Sequence, residues 1–157
     1  MDIEFNDREL TGAIRRIEGA LTDMTPLMQD VGELMVHSTK RRFIAGSAPD
    51  GSPWAPKSEV TKAAYERRGD PVDERPLFGP SGRLSGEIHY QADETSVSWG
   101  SSLIYAAVQQ FGAEQGEFGP RTPWGDIPAR PFLGLGEDDK AGIIETVTDW
   151  MTRTMKA

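Results

Sequence analysis

Apolar residues recur along this chain with two different periods, and the changes of period divide it into elements. Leu10, Ala13, Ile14, Ile17 and Leu21 fall three or four apart, the spacing of one face of an α-helix. Arg15, Arg16 and Glu18 lie on the opposite face. Asn6 followed by Glu9 has the form of a capping box, which predicts a helix starting at Asn6. Ahead of it, Ile3 and Phe5 alternate with Asp2 and Glu4 and predict a short opening strand. Thr25-Pro26 restarts the chain as N-cap and first helical residue, where proline's missing N–H costs nothing. Leu27, Val31, Leu34 and Met35 carry the helical period towards Phe43-Ile44, with Gly46 as its end. Lys40, Arg41 and Arg42 occupy the last turn, where cations suit the partial negative charge of the carbonyl end.

From Ser47 to Gly86 the periodicity fades into glycine, proline and charge, apart from a short predicted helix from Glu59 to Arg68. Asp50-Gly51 marks a turn, and residues 69–80, with three prolines, predict an irregular arm. Period two then takes over. Ile88, Tyr90 and Ala92 alternate with Glu87, His89 and Gln91, and Val97 and Trp99 with Ser96 and Ser98. With Asp93-Glu94 between them, these runs predict an antiparallel hairpin with one buried face. Tyr105 to Phe111 predicts a short helix stopped by Gly112. Residues 112–131 hold too much glycine and proline for a regular element, and a loop of that length is usually functional or disordered. A final helix runs from about Asp138 to Lys156, with Asp138 or Asp139 as its cap and Ile143, Ile144, Val147, Trp150 and Met151 as its stripe.

Composition adjusts this picture in a few places. At 157 residues the chain fits a single domain, 1–157, able to bury a core without metal or disulfide. The 17 glycines and 11 prolines fit long loops around a modest folded centre. A formal charge of −8 repels phosphate backbones and argues against specific nucleic-acid binding. The absence of cysteine removes thiolate chemistry, disulfides and Cys-type zinc sites. Met1-Asp2-Ile3-Glu4 lacks the basic and apolar regions of a signal peptide, and no apolar run approaches the ~20 residues of a membrane span, so a soluble protein made in a cytoplasm is expected.

Candidate chemistry does not assemble into an active site. His37 and His89 share no metal-ligand spacing and read as surface or edge positions. Ser81, Ser85, Ser101 and Ser102 lack a nucleophile elbow. Glu137-Asp138-Asp139 could mimic a glycosidase pair or a cation site, but adjacent carboxylates before a helix more often serve its positive end. The run Gly79-Pro80-Ser81-Gly82 lacks the Lys-Ser/Thr ending of a phosphate loop. No catalytic residue, cofactor or metal is therefore expected. Trp99 and Trp150 sit on apolar faces and read as core. Trp54 and Trp124 lie in Pro/Gly-rich loops, where the ring must cover either the domain's own core or a partner.

The order of several strings is more specific than any one of them. Arg42-Phe43, Pro49-Asp50-Gly51-Ser52-Pro53-Trp54-Ala55-Pro56 and Ser81-Gly82-Arg83-Leu84 follow an amphipathic helix. Then come Tyr105-Ala106-Ala107-Val108-Gln109-Gln110-Phe111-Gly112 and Ile127-Pro128-Ala129-Arg130-Pro131-Phe132-Leu133-Gly134. This order resembles the virion-morphogenesis family of Mu-like phages, related to the tail-completion proteins of contractile-tailed phages. One departure stands out: the family often has His where Gln109 stands here, a change that a packing role tolerates better than a catalytic one. The resemblance implies an α+β fold, a small antiparallel β-sheet with N-terminal helices and a C-terminal helix packed on it and long Pro/Gly-rich loops. It implies a non-enzymatic subunit of the virion that acts late in tail assembly, near the end of the tail that meets the head. A ring-like homo-oligomer, a hexamer among the counts it allows, would contact tail tube or connector proteins. The candidate protein-interaction residues within the matching strings and loops are Trp54, Arg83, Phe111, Trp124, Arg130 and Phe132. Arg130, stiffened by Pro128 and Pro131 and followed by Phe132-Leu133, fits an inter-subunit latch, although Phe132 and Leu133 could equally form a core strand. Loops 45–58, 69–86 and 112–131 would reach neighbours. The rival readings are a virion-associated cell-wall hydrolase using Glu137, Asp138 and Asp139, and a nucleic-acid accessory module using Arg41, Arg42, Arg67 and Arg68.

Overall fold

The structure, a computed structural model, describes residues 7–117 and 125–156. The expected opening strand at Ile3 and Phe5, the cap at Asn6 and the loop residue Trp124 lie outside them.

Helix α1 spans Arg8–Ala20, with Asp7 at its N-cap position but no side-chain cap bond. Helix α2, Thr25–Ala45, is the spine of the molecule. The N-cap position is Met24 and not Thr25 as expected, and the start is tied from one residue further back by Asp23, whose Oδ1 accepts the Thr25 N–H at 2.9 Å. It ends at Gly46, which takes φ 70° and donates its N–H to the Arg42 carbonyl. Only glycine adopts that left-handed turn without strain. Helix α3 is Glu59–Arg68, opened by Ser58 Oγ accepting the Thr61 N–H. A one-turn helix α4, Arg83–Gly86, was not predicted. Strands β1, Ile88–Ala92, and β2, Val97–Ser101, form a two-stranded antiparallel sheet. Helix α5, Ala106–Phe111, and helix α6, Glu137–Lys156, complete the order. The fold class is α+β, as the family resemblance implied.

The core has two parts, and α2 runs through both. Its first half carries Leu27, Val31 and Met35 into a cluster with Trp150 of α6, flanked by Val97, Trp99, Ile143 and Val147. Its second half carries Phe43 into a cluster with Trp54, Leu77, Leu84, Ile88, Ala106 and Phe132. Phe43 is the hub of the second: its ring centroid lies 5.7 Å from Trp54, 6.3 Å from Phe78 and 5.3 Å from Phe132, in edge-on or tilted contacts. Such pairings favour the ring quadrupoles over flat stacking.

The hairpin register pairs Ile88 with Ser101, Tyr90 with Trp99 and Ala92 with Val97, placing these six on one face. His89, Gln91 and Ser98 are on the other face and exposed. The inner face crosses α2 at Gly32, a buried position where a Cβ would come within 2.3 Å of the Tyr90 ring. The absence of a side chain there lets sheet and spine approach.

Candidate functional site

The most heavily anchored irregular segment is 127–136, the stretch containing the Ile-Pro-Ala-Arg-Pro-Phe-Leu-Gly string. It forms no strand beyond the single Ile127–Ala113 bridge, yet nearly every turn of its backbone is held. The Arg130 N–H donates to the Gln109 carbonyl at 2.8 Å. Trp54 Nε1 donates to the Pro131 carbonyl at 2.8 Å, and Arg42 Nη1 donates to the Phe132 carbonyl at 2.8 Å. Gln110 serves as a substitute strand partner. Its Oε1 accepts the N–H groups of Phe132 and Leu133, both at 2.9 Å, and its Nε2 donates to the Leu133 carbonyl at 3.0 Å. Backbone groups that a loop would otherwise bury unpaired are thereby satisfied.

Cations are used as internal staples along this strap. Arg130 is buried, and its guanidinium donates to the carbonyls of Ala55 at 2.7 Å and Pro56 at 2.8 Å. Burial pushes its pKa down from the usual arginine range, and two carbonyls in fork geometry are a match a lysine would not reproduce. Lys57, also buried, donates Nζ to the Asp73 and Arg75 carbonyls, tying the 69–80 arm to the 45–58 loop. Burial lowers its pKa too, opposed by the charges of Asp73 and Glu74.

Where the strap enters α6, Asp139 forms a buried ion pair with Arg42. Asp139 Oδ1 also accepts the Ser38 hydroxyl, and Oδ2 accepts the Gly136 N–H at 2.7 Å. Asp139 thus satisfies an orphan N–H at the start of α6 and closes α6 onto α2 at once. The Arg42 pKa is lowered by burial, with Asp139 opposing the shift. An open cleft of about 430 Å³ lies beside the pair, lined in part by Arg41, Asp50, Glu137 and Asp138. Glu137 pairs with Lys140 at 2.7 Å.

The sequence profile of the phage virion morphogenesis family matches residues 5–152, which takes in the spine, the hairpin, the strap and most of α6. The chain belongs to that family. It is 31% identical to the Mu-like prophage FluMu G protein 2 of Haemophilus influenzae over 99% of both chains. It is 28% identical to tail completion protein S of Escherichia phage P2, over 88% of this chain and 94% of that one. No solved structure matches it. Membership in a virion morphogenesis family gives the chain a structural role in phage assembly, associated with the virion and its proteins.

Within this family member the six candidate contact residues separate by environment. Trp54, Arg130 and Phe132 are buried, and the bonds described above consume their polar groups. As a surface latch they have no free face. The reason is local: the strap lies against α2, with the Phe132 ring on Phe43 and the Phe132 carbonyl accepting from Arg42. Arg83 is exposed on α4, 3.5 Å from Glu87. Phe111, at the end of α5, is 78% exposed. Trp124 is outside the described residues. Among the remaining candidates, His37 and His89 are both exposed. The residues sequence reasoning missed are Gln110, Lys57 and Ser38, none of which carries a spacing signal. Gln110 could have been noticed only as the residue beside Gln109 in the string shared with the family.

Proposed function

We propose that this chain acts in tail completion, at the end of the tail that meets the head, as a single 1–157 unit that assembles into a ring and contacts tail tube or connector proteins without catalysing a reaction. The observation that carries the reading is the strap. Its one polar side chain, Arg130, and those that clasp the strap, Arg42, Trp54 and Gln110, are spent on holding one surface together, as a subunit that must present a fixed shape to neighbours requires. The similarity to tail completion protein S of phage P2 supports the tail-completion part of this reading. The hydrolase reading loses Asp139 to its buried pair with Arg42, and the nucleic-acid reading loses Arg42 to the same pair.

Deleting the gene from the phage genome that carries it should leave heads and tails accumulating unjoined or with unfinished tail ends, visible by negative-stain electron microscopy. Supplying the chain in trans should restore infectious particles. Normal virions from the deletion strain would remove the proposal.

A further inference from the structure

From Thr95 to Ala113 no residue carries a formal charge, in a chain whose residues are 27% charged. This run builds β2, the link that follows it and α5. The strap, whose one charge sits on the buried Arg130, lies against it. Leu133 Cδ1 stands 4.0 Å from where a Cβ on Gly100 would be, on the outer side of the hairpin that also carries His89. Gln110 holds the Leu133 backbone from α5. Gly112 closes α5 directly onto the Ile127 carbonyl, where a Cβ would come within 2.7 Å. β2, α5 and the strap therefore form one connected face. On it Ile104, Tyr105, Phe111 and Leu135 are 94%, 40%, 78% and 49% exposed. An uncharged centre with aromatic and aliphatic side chains is the composition of an interface core.

The rim of this face is acidic. Glu114, Glu117 and Asp126 stand exposed at the neck closed by the Ala113–Ile127 bridge, and none pairs with a cation among the described residues. Arg121, the one cation of the neck loop, lies outside the described residues. At the α6 corner Lys140 is paired with Glu137, and Arg41 shares the neighbouring cleft with Asp50 and Asp138. At the hairpin Arg83 faces Glu87, and the turn carries Asp93 and Glu94. Each described cation along the rim is thus matched by a carboxylate, and the neck and the hairpin turn have carboxylates left over. A second copy brings −8 of its own, so like charges oppose its approach to this face.

We propose that this face docks on a different virion protein, against a surface with an apolar centre and a basic rim. Phe111 is the anchor. The uncharged centre supplies the affinity, because burying it strands no unpaired charge. The carboxylate rim steers the encounter and rejects surfaces of its own sign. The inference rests on the assembly role proposed above and names the face and the chemistry of its partner.

The probes are heads and tails purified separately from the gene-deletion strain, each mixed with the full chain over a series of salt concentrations and sedimented. The wild type should pellet with one of the two, and less so as salt rises. Phe111→Asp should weaken that binding about tenfold or more, since it puts a carboxylate into the desolvated centre. Glu114→Lys should weaken it several-fold at low salt and little at high salt. Glu66→Lys makes the same change in net charge at an exposed position of α3 and should bind like the wild type. All three positions are exposed, so the variants should fold, which far-UV circular dichroism checks. The proposal is overturned if the wild type pellets with neither particle, if folded Phe111→Asp or Glu114→Lys binds like the wild type, or if Glu66→Lys loses as much as Glu114→Lys. It is also overturned if sedimentation velocity shows a wild-type oligomer that Phe111→Asp alone breaks into single chains, which would make the face a contact between copies. Supplying both particles with the wild-type chain then separates the two readings. Binding that is lost in Phe111→Asp but never yields infectious phage would keep the docking face and remove the tail-completion role. Infectivity restored equally by wild type and Phe111→Asp would remove the face and keep the role.

Discussion

Gln110 and Phe132 are joined as if by a strand pair, although neither lies in a sheet. The amide oxygen of Gln110 accepts the Phe132 N–H and the Leu133 N–H, and its nitrogen donates to the Leu133 carbonyl. One side chain thereby sets the register of the strap and seats Phe132, fully buried, against Phe43.

Replacing Gln110 with Ala should therefore leave two donors and an acceptor unpaired and cost about 2–4 kcal/mol, given ~1–3 kcal/mol for each buried group left unsatisfied and some access to water. Glu at this position should cost less, because it keeps the double acceptor and loses only the donor to Leu133. Urea denaturation of both variants would show this order. An Ala variant within about 0.5 kcal/mol of wild type, the range of ordinary surface changes, would mean that the strap is held by its apolar contacts alone.

Periodicity made the regular elements legible. The bounds expected for the Glu59–Arg68 helix match α3, and the hairpin and the last helix lie within a residue or two of their predicted places. Gly46 and Gly112 both take positive φ where helices were expected to stop. What periodicity could not show is how irregular segments are satisfied. Arg42 was read as a cation suiting the end of α2, which its position in the last turn supports, but no local rule reveals that its side chain turns inward to Asp139, 97 residues away. Asp139 was expected ahead of the helix as its cap; it lies instead in the first turn of α6 and reaches back to the Gly136 N–H, and its second role depends on the same distant partner. The stripe of α1 was legible as apolar, but whether it faces a core or a neighbour depends on what packs beside it. Sequence period cannot distinguish these, and that is why Leu10, Ile14 and Leu21 emerged as surface residues.

The crossing of α2 and the hairpin depends on Gly32. A methyl group there would meet Tyr90 ring atoms at 2.3–2.9 Å, well inside contact distance, so Gly32→Ala should destabilise by at least the ~1–3 kcal/mol typical of overpacking. The gain in helix propensity from Gly to Ala, about 1 kcal/mol, acts in the opposite direction and is the smaller effect. In a Tyr90→Ala background the same substitution should cost little or become stabilising. Additive losses in this double-mutant cycle would show that the contact is not what excludes a side chain from position 32.

The Arg42–Asp139 pair is a locking device more than a source of stability. Asp139→Ala should cost about 3–5 kcal/mol, because it leaves a guanidinium buried without its counter-charge. Combining Arg42→Met with Asp139→Leu should recover much of that loss. Recovery should stay incomplete, since the Ser38 hydroxyl, the Gly136 N–H and the Phe132 carbonyl also lose their partner. Chemical denaturation of the single and double variants would decide it. A double variant no better than Asp139→Ala would place the cost in those neutral hydrogen bonds and not in the unpaired charge.

The 69–80 arm should respond to acid at Asp73. The Arg75 side chain hydrogen-bonds this carboxylate, with Nε at 2.9 and 3.1 Å from its two oxygens and Nη2 also donating to Oδ2, and the Arg75 backbone N–H adds a bond to Oδ1 at 2.8 Å. Together they hold its pKa at about 2, below the ordinary 3.8. A depressed carboxyl pKa means that the folded state binds its proton more weakly than the unfolded state does. Its stabilising contribution is complete above about 3.8 and is lost as pH falls through about 2. Because Arg75 and Asp73 are both partly exposed, solvent screens the pair, and the response should be local to the arm. Carbon-detected NMR of the Asp73 carboxyl should give a midpoint near 2, and Arg75→Ala should return it towards 3.8. The Asp73 carbonyl is also one of the two that hold Lys57 Nζ, so backbone shifts around Lys57 should move over the same acid range in the wild type. A native midpoint already near the ordinary value would show that Arg75 does not close on Asp73 in solution, leaving Lys57 as the arm's main fastener.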